Sequence, residues 1–386
     1  MSWLTRRRAA RAPAQPAAPS HAPTEAPAPE RPITLVTGGT GFLGSHLVRL
    51  LANGGDTALR VLTTTSPAWL AELGVETVRG SITVPEDVER AVKGVTHIYH
   101  LAGRVSRSSD DAPEMYALHV EGTRYLCDSA KRAGVKSMVL VSSSGTLAVS
   151  DQPDVAANEE SLPPLEIILR WPYYASKVYQ ERVALESLAG AGVKLVIVNP
   201  SLLLGPGDER LSSTKLVLDF LARKIPVVPT GGLSLVDVRD AAQAVRSALR
   251  RGVHGERYLL GATNWTFREL FGRLERLTKI PAPRFSLPPR IAVPGARAMT
   301  SVLRKWNMAP SVEPSEIEMA GYYWYVDSSK ARRELGFTTR DPGETLSDTV
   351  SFVQDRFLER RGGAWEEGFK SADAAVSPYP GSARRR

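Results

Sequence analysis

Gly38-Gly-Thr-Gly-Phe-Leu-Gly44 constrains the fold of this chain more than any other segment. It follows Ile33–Thr37, a short β-branched run that reads as a buried strand, and it opens a helical stretch at Ser45–Asn53. The glycines fit G-x-x-G-x-x-G from Gly38 and G-x-G-x-x-G from Gly39. Glycine is needed where a chain turns this sharply, lets a diphosphate reach its backbone and packs a helix close to a strand. The helix N-terminus then offers free N–H groups and the positive end of its dipole. Strand, loop and helix together read as a dinucleotide-binding turn.

The alternation continues. Apolar runs at Leu59–Leu62, His97–Leu101, Ser137–Ser142 and Lys194–Asn199 are separated by helical stretches at Pro85–Val92, Met115–Ala133 and Ala175–Leu188. This implies βαβ units, a parallel sheet and, through right-handed crossovers, helices on both faces. The expected fold class is α/β: a Rossmann-type doubly wound parallel sheet with a smaller, mostly helical C-terminal substrate-binding portion. Residues 32–204 are expected to form the dinucleotide-binding domain. Residues 205–357 are expected to form the substrate-binding portion, with some segments returning to the sheet. Residues 1–31, dominated by Ala, Pro, Ser and Arg, and residues 358–386 read as disordered tails, because neither buries enough apolar surface to offset its ordering entropy.

With 386 residues, 42% apolar and 23% charged, the chain sits close to the globular norm. No run approaches the roughly 18–20 apolar residues of a membrane span. No apolar segment follows the N-terminal arginines as in a secretory signal, and the expected location is cytoplasmic. A single cysteine, Cys127, excludes an internal disulfide and a cysteine-based zinc site. The net charge of +8 is partly terminal: residues 1–31 hold five arginines against two glutamates, and residues 362–386 hold four cations against three acids. The body keeps +4, too little for the basic stripe that nucleic-acid binding wants.

An NAD-preferring site carries Asp or Glu at the end of the second strand. Thr63, Thr64 and Thr65 stand there instead. No carboxylate grips a ribose diol or repels a 2′-phosphate, so NADP is favoured over NAD. Farther on, Tyr173 and Lys177 are spaced i, i+4 after Pro172, on one helix face. A nearby cation favours the phenolate, which would make Tyr173 a proton donor or acceptor near neutrality. Ser142-Ser143-Ser144 ends a strand, on the side where a doubly wound sheet opens its ligand crevice.

In this order, the elements resemble the extended short-chain dehydrogenase/reductases, also called the NAD-dependent epimerase/dehydratase family. The resemblance rests on Val36–Gly44, His100-Leu-Ala-Gly103, Glu121-Gly-Thr-Arg124, Val141-Ser-Ser-Ser144, Tyr173-xxx-Lys177 and Asn199-Pro200. It extends to Asp327-Ser-Ser-Lys-Ala-Arg-Arg-Glu-Leu-Gly336 and covers roughly residues 32–357. Asn199-Pro-Ser-x-x-x-Gly-Pro-Gly-Asp208 and Leu235-Val-Asp-Val-Arg-Asp240 resemble the branch of dihydroflavonol reductases, 3β-hydroxysteroid dehydrogenases and hopanoid-associated sugar epimerases. The resemblance implies Tyr173 as general acid/base, Lys177 on the nicotinamide ribose and Ser144 on the reacting oxygen. It implies Gly38, Gly41, Phe42, Leu43 and Gly44 around the pyrophosphate, and Leu101, Ala102 and Gly103 under the adenosine and ribose. Pro200 and Ser201 would face the nicotinamide. Thr63, Ser81 and Ile82 fall at the adenosine end. Three positions depart from the pattern: Ser81 stands for an Asp, His119 for an Asn, and Thr63 lies where an acid is usual. By analogy, helices at 115–133 and 174–188 would pair two copies into a homodimer.

Other patterns fit less. His97 and His100 lie three apart on a strand and point to opposite faces, so no metal site is expected. Ser212-Ser-Thr-Lys215 lacks the partner motif of an acyl-enzyme hydrolase. Cys127 reads as packing. Tyr322-Tyr-Trp-Tyr325 reads equally as a substrate wall or as core. The basic stretch Arg284–Lys305 reads as a surface hinge, or as a membrane-facing segment beside a lipid-like substrate.

Two reactions fit a small-molecule substrate. One is hydride transfer between a nicotinamide and a ketone or secondary alcohol. The other is nucleotide-sugar epimerisation or dehydration on a tightly held NAD. A buried diphosphate needs a bidentate cation, yet Leu233 stands near the usual clamp position, with Arg239 and Arg210 as substitutes. The first reaction is therefore favoured. An intact Tyr/Lys pair argues against a non-catalytic dinucleotide sensor.

Overall fold

The computed structural model describes residues 31–55, 57–287, 293–295, 314–361 and 364–367. In chain order the strands are β1 (Ile33–Thr37), β2 (Ala58–Thr63), β3 (Glu76–Arg79), β4 (Val95–His100), β5 (Ser137–Val141), β6 (Lys194–Pro200) and β7 (Leu202–Leu204). They continue as β8 (Gly232–Asp237), β9 (Arg257–Leu260), β10 (Thr263–Thr266), β11 (Tyr323–Trp324), β12 (Leu358–Arg361) and β13 (Ala364–Glu367). Seven of them form one sheet in the order β3-β2-β1-β4-β5-β6-β9, with every neighbouring pair parallel. The chain reverses its direction of travel across the sheet between β1 and β4, and a crevice opens at their carboxyl ends.

Both faces of this sheet are covered, and alternate residues of one strand enter different cores. Val139 and Val141 of β5 pack with the helices Phe42–Gly54 and Val238–Arg251. Met138 and Leu140 pack with Pro85–Val92, Gly122–Arg132 and Pro172–Leu188. Full burial of such side chains is worth about 1.5–3 kcal/mol each. This explains the nearly continuous apolar text of the central strands.

The portion after residue 204 is less purely helical than its weakened alternation suggests. β8 pairs antiparallel with β10, and parallel with β11 and β7 along its other edge. The helices Lys215–Leu221, Phe267–Thr278 and Pro342–Phe357 bury their apolar sides over it. The helix Val238–Arg251 and β9 return to the large sheet.

Two local features depart from expectation. The stretch read as one helix, Met115–Ala133, is broken by a π-helical turn at Ala117–Glu121, a distortion that often marks functional sites. In the stretch expected as a tail from 358, β12 and β13 pair antiparallel. Leu358 is fully buried in the core that holds Val353 and Phe357. Residues 1–30 and 368–386, and most of the basic stretch Arg284–Lys305, lie outside the described residues. Among the described residues no helix is long and apolar enough to cross a membrane.

Candidate active site

The glycine loop is built around backbone approach. Gly38 has φ +72°, and a Cβ there would meet the Ala102 nitrogen and the Leu101 carbonyl carbon at 2.6 Å. At Gly44 a Cβ would fall 2.0 Å from the Gly38 oxygen. The Gly41 N–H donates to that same oxygen at 3.0 Å. The helix Phe42–Gly54 follows with no side-chain cap, which leaves N–H groups of its first turn for an anion.

The loop opens into a cleft of about 1540 Å³. Its wall takes in Gly38, Gly41, Phe42, Leu43 and Gly44, with Leu101 and Gly103 from the end of β4. Ser144, Tyr173, Lys177, Pro200 and Ser201 line it as well. The other expected cofactor residues stand off this wall. Thr63 is buried, with its hydroxyl accepting from the Thr65 N–H at 3.2 Å. The Ser81 N–H donates to Asp87 at 2.8 Å. Ile82 packs in the core against Gly122. The Ala102 N–H donates to Thr37 Oγ1 at 3.3 Å, beneath the loop.

Tyr173 begins the helix Pro172–Leu188, whose proline at the first position is preset for helix entry. Of the serine triplet, it is Ser143 whose hydroxyl acts to lower the pKa of the Tyr173 phenol. Ser142 instead donates to Glu181 at 2.5 Å, while Ser144 lines the cleft without touching Tyr173 through a hydrogen bond. The resemblance pointed to Ser144, which begins the turn Ser144–Thr146 capped by the Ser143 hydroxyl; Ser143 and Ser144 both line the cleft beside Tyr173.

The expected lowering of Tyr173 by Lys177 does not occur. Burial raises the phenol above its ordinary value and Tyr174 adds to this, while Ser143 and Arg107 act in the opposite direction. Lys177 is engaged elsewhere: its Nζ donates to the Val141 carbonyl at 3.0 Å and to Gln180 Oε1 at 2.8 Å. Burial lowers its pKa to about 8, against the attraction of Glu181.

The partners of His119, Glu181 and His100 emerge only in the structure. His119, within the π-turn, accepts from the Arg104 N–H at 3.1 Å through Nε2. The proton is therefore on Nδ1, which donates to Ser176 Oγ at 2.8 Å. Ser176 donates in turn to the Tyr173 carbonyl at 2.7 Å, and the His119 ring stands edge-on to Tyr173. Glu181 gathers Ser142, Thr146, Asn199 and Arg257 around one buried carboxylate. His100 is not half of a metal pair; it lies in a buried polar chain, and His97 bonds Ser137 instead. Among the described residues no cluster fit to hold a metal occurs. Cys127 is fully buried packing. Trp324 lines the cleft together with Tyr174, so the aromatic run is a wall on that side. Trp171 and Tyr322 pack behind it.

A parallel sheet in this order, a glycine cradle at its switch point and a Ser-Tyr-Lys cluster beside it define an NAD(P)-dependent oxidoreductase of the Rossmann class. Residues 34–261 match the model of the NAD dependent epimerase/dehydratase family, and the chain belongs to that family. It is 33% identical over 326 residues to a putative dihydroflavonol 4-reductase of Synechocystis sp., covering 83% of this chain and 94% of the relative. It is also 33% identical over 329 residues to sterol demethylase protein B of Methylococcus capsulatus, covering 84% and 98%. The crystal structure of gox2253 superposes with a TM-score of 0.72 at 30% identity, covering 84% of this chain and 98% of that one.

Proposed function

We propose that this protein transfers hydride between NADP and an apolar ketone or secondary alcohol, with Tyr173 as general acid/base. The observation that carries this reading is one continuous cleft. It begins at the glycine cradle, passes the Tyr173 phenol, and widens among Leu216, Ile225, Phe271, Ile317, Met319 and Phe352. The sterol in the name of the Methylococcus relative points the same way.

The residues present fit a dinucleotide. The cradle excludes any Cβ at Gly38 and Gly44, and the buried Ser201 hydroxyl has no hydrogen-bond partner among the described residues. Ser201 and Pro200 would hold the nicotinamide end, Lys177 the adjacent ribose, and Leu101 to Gly103 the adenosine side. Thr63, Ser81 and Ile82 would stand toward the adenosine end. A bound nicotinamide supplies or accepts the hydride. In reduction Tyr173, kept protonated by burial, would give its proton to the carbonyl oxygen and become a phenolate; in oxidation that phenolate would take the alcohol proton. Ser143 and Ser144 hold that oxygen. NADP rather than NAD is supported by Thr63-Thr64-Thr65, where no acid faces a 2′-phosphate.

Nucleotide-sugar chemistry fits less well. Leu233 is a buried apolar side chain, and Arg239 is held by Asp237 and Asp348 at 2.7 and 2.6 Å. Neither is available to clamp a diphosphate, which leaves Arg210 on the cleft wall as the one cation of the expected set that could meet it. A homodimer is supported by exposed Tyr116 and Tyr179, paired edge-on at 6.4 Å on the outer helices.

The test is titration of the full chain with NADH and NADPH, read by nicotinamide fluorescence. Tighter binding of NADPH is the expected result. Failure of both to bind would overturn the reading.

A further inference from the structure

Lys177 is one end of a buried hydrogen-bond chain whose polarity is forced. An ammonium can only donate, so Gln180 must turn its Oε1 toward Lys177. Its Nε2 then faces Thr123 Oγ1 at 3.0 Å and His100 Nε2 at 3.4 Å. Thr123 Oγ1 lies 2.8 Å from the same His100 nitrogen. Thr123, accepting from Gln180, can turn its own hydroxyl hydrogen to His100 Nε2; with that nitrogen as acceptor, Nδ1–H donates to Thr37 Oγ1 at 2.7 Å. Thr37 accepts in addition from the Ala102 N–H, under the glycine loop. All five side chains are buried. Burial lowers His100 to about 3, so His100 stays neutral and the chain keeps this polarity while Lys177 is an ammonium.

We propose that Gln180 is a positioning residue for Lys177, and that the Thr37–His100–Thr123 chain holds its amide in the required orientation. Gln180 and the Val141 carbonyl fix two of the three ammonium donors, and the third is left at the cleft wall. There, a Cβ on Gly103 would lie 3.6 Å from Nζ. A residue that only filled space at 180 would need no amide, and burying one requires a partner at each end. Here one end of the amide meets the cation and the other meets the chain from β1.

The inference deepens the functional reading given above, but its first test does not depend on that reading. Lysines of the full chain are labelled with 13C at Cε, Lys177 is assigned by its loss in Lys177→Arg, and its titration is followed by NMR. Removing the acceptor in Gln180→Leu is expected to move the Lys177 titration to lower pH. Adding a carboxylate in Gln180→Glu is expected to move it to higher pH. In turnover, Gln180→Leu should lose at least tenfold in kcat at pH 8 with little change in substrate KM, and recover most of it at pH 6.5. Opposite shifts in the two variants support the proposal, because a packing role would not give opposite signs. Unchanged titration in both, or movement of both in one direction, overturns it. If Gln180→Leu does not fold, the near-isosteric Gln180→Glu decides alone. If no cofactor binds, the functional reading fails while the titration still judges Gln180.

Discussion

Tyr174 stacks on Trp324 with ring centroids 4.8 Å apart and planes inclined by 29°, tying the catalytic helix to β11 and forming one wall of the cleft. Trp324 also donates from its indole to the Met319 carbonyl at 3.0 Å. Truncation in Trp324→Ala should therefore widen the apolar side of the cleft. The expected outcome is a rise in KM of about tenfold for bulky ketones, with small ketones little affected. The half-buried ring should also cost about 2 kcal/mol of stability, below the 3–5 kcal/mol of a fully buried tryptophan. KM measured across a size series of ketones, with urea unfolding, checks both.

The Lys177 ammonium sets a pH limit. Burial lowers its pKa to about 8, so it is charged below that pH and neutral above it. The buried Tyr173 phenol is raised instead and stays protonated across the same range. kcat/KM for the cofactor, which reports the free enzyme, is expected to fall as pH rises through about 8. A flat profile from pH 7 to 10 would contradict this assignment.

The proposed preference for NADP rests on three threonines. Thr64 is exposed directly after β2. A carboxylate there would repel a 2′-phosphate, so Thr64→Asp is expected to weaken NADPH binding at least tenfold and spare NADH, or tighten it. Fluorescence titration of both forms measures the ratio.

Glu181 tests the frame of the site. It pairs with Arg257 at 2.7 Å and accepts from Ser142, Thr146 and Asn199. Breaking a buried ion pair by removing one partner costs about 3–5 kcal/mol. Arg257 keeps 30% of its side chain exposed, so Glu181→Gln is expected to lose about 2 kcal/mol. Urea unfolding reads this directly.

The large sheet was legible because its strands are buried on both faces and therefore appear as short apolar runs between helices. The glycine loop was legible because its spacing has one steric explanation. What stayed hidden depends on contacts distant in sequence. Glu181 and Gln180 look like ordinary helix-surface residues, yet the helix Pro172–Leu188 turns both inward. Their spacing behind Lys177, with Ser142 and His100 elsewhere, was the available signal. The π-turn at Ala117–Glu121 leaves no periodicity mark in so short a stretch, and with it the placement of His119 was missed. β8 and its partners were obscured by pairings from three separate segments. Ser143 and Ser144 cannot be ranked from a triplet, because the backbone turn after β5 decides which hydroxyl meets Tyr173.

Net hydride transfer, with Tyr173 handling the proton, consumes the reduced nicotinamide. The direct measurement is nicotinamide absorbance during incubation of the full chain with NADPH and a panel of apolar ketones, alongside Tyr173→Phe. The expected result is cofactor oxidation matched by alcohol formation. Tyr173→Phe should slow it by about 10²–10⁴-fold, the usual worth of a general acid, while NADPH affinity stays unchanged. A cofactor that is never consumed, alongside epimerisation of an added nucleotide sugar, would contradict it.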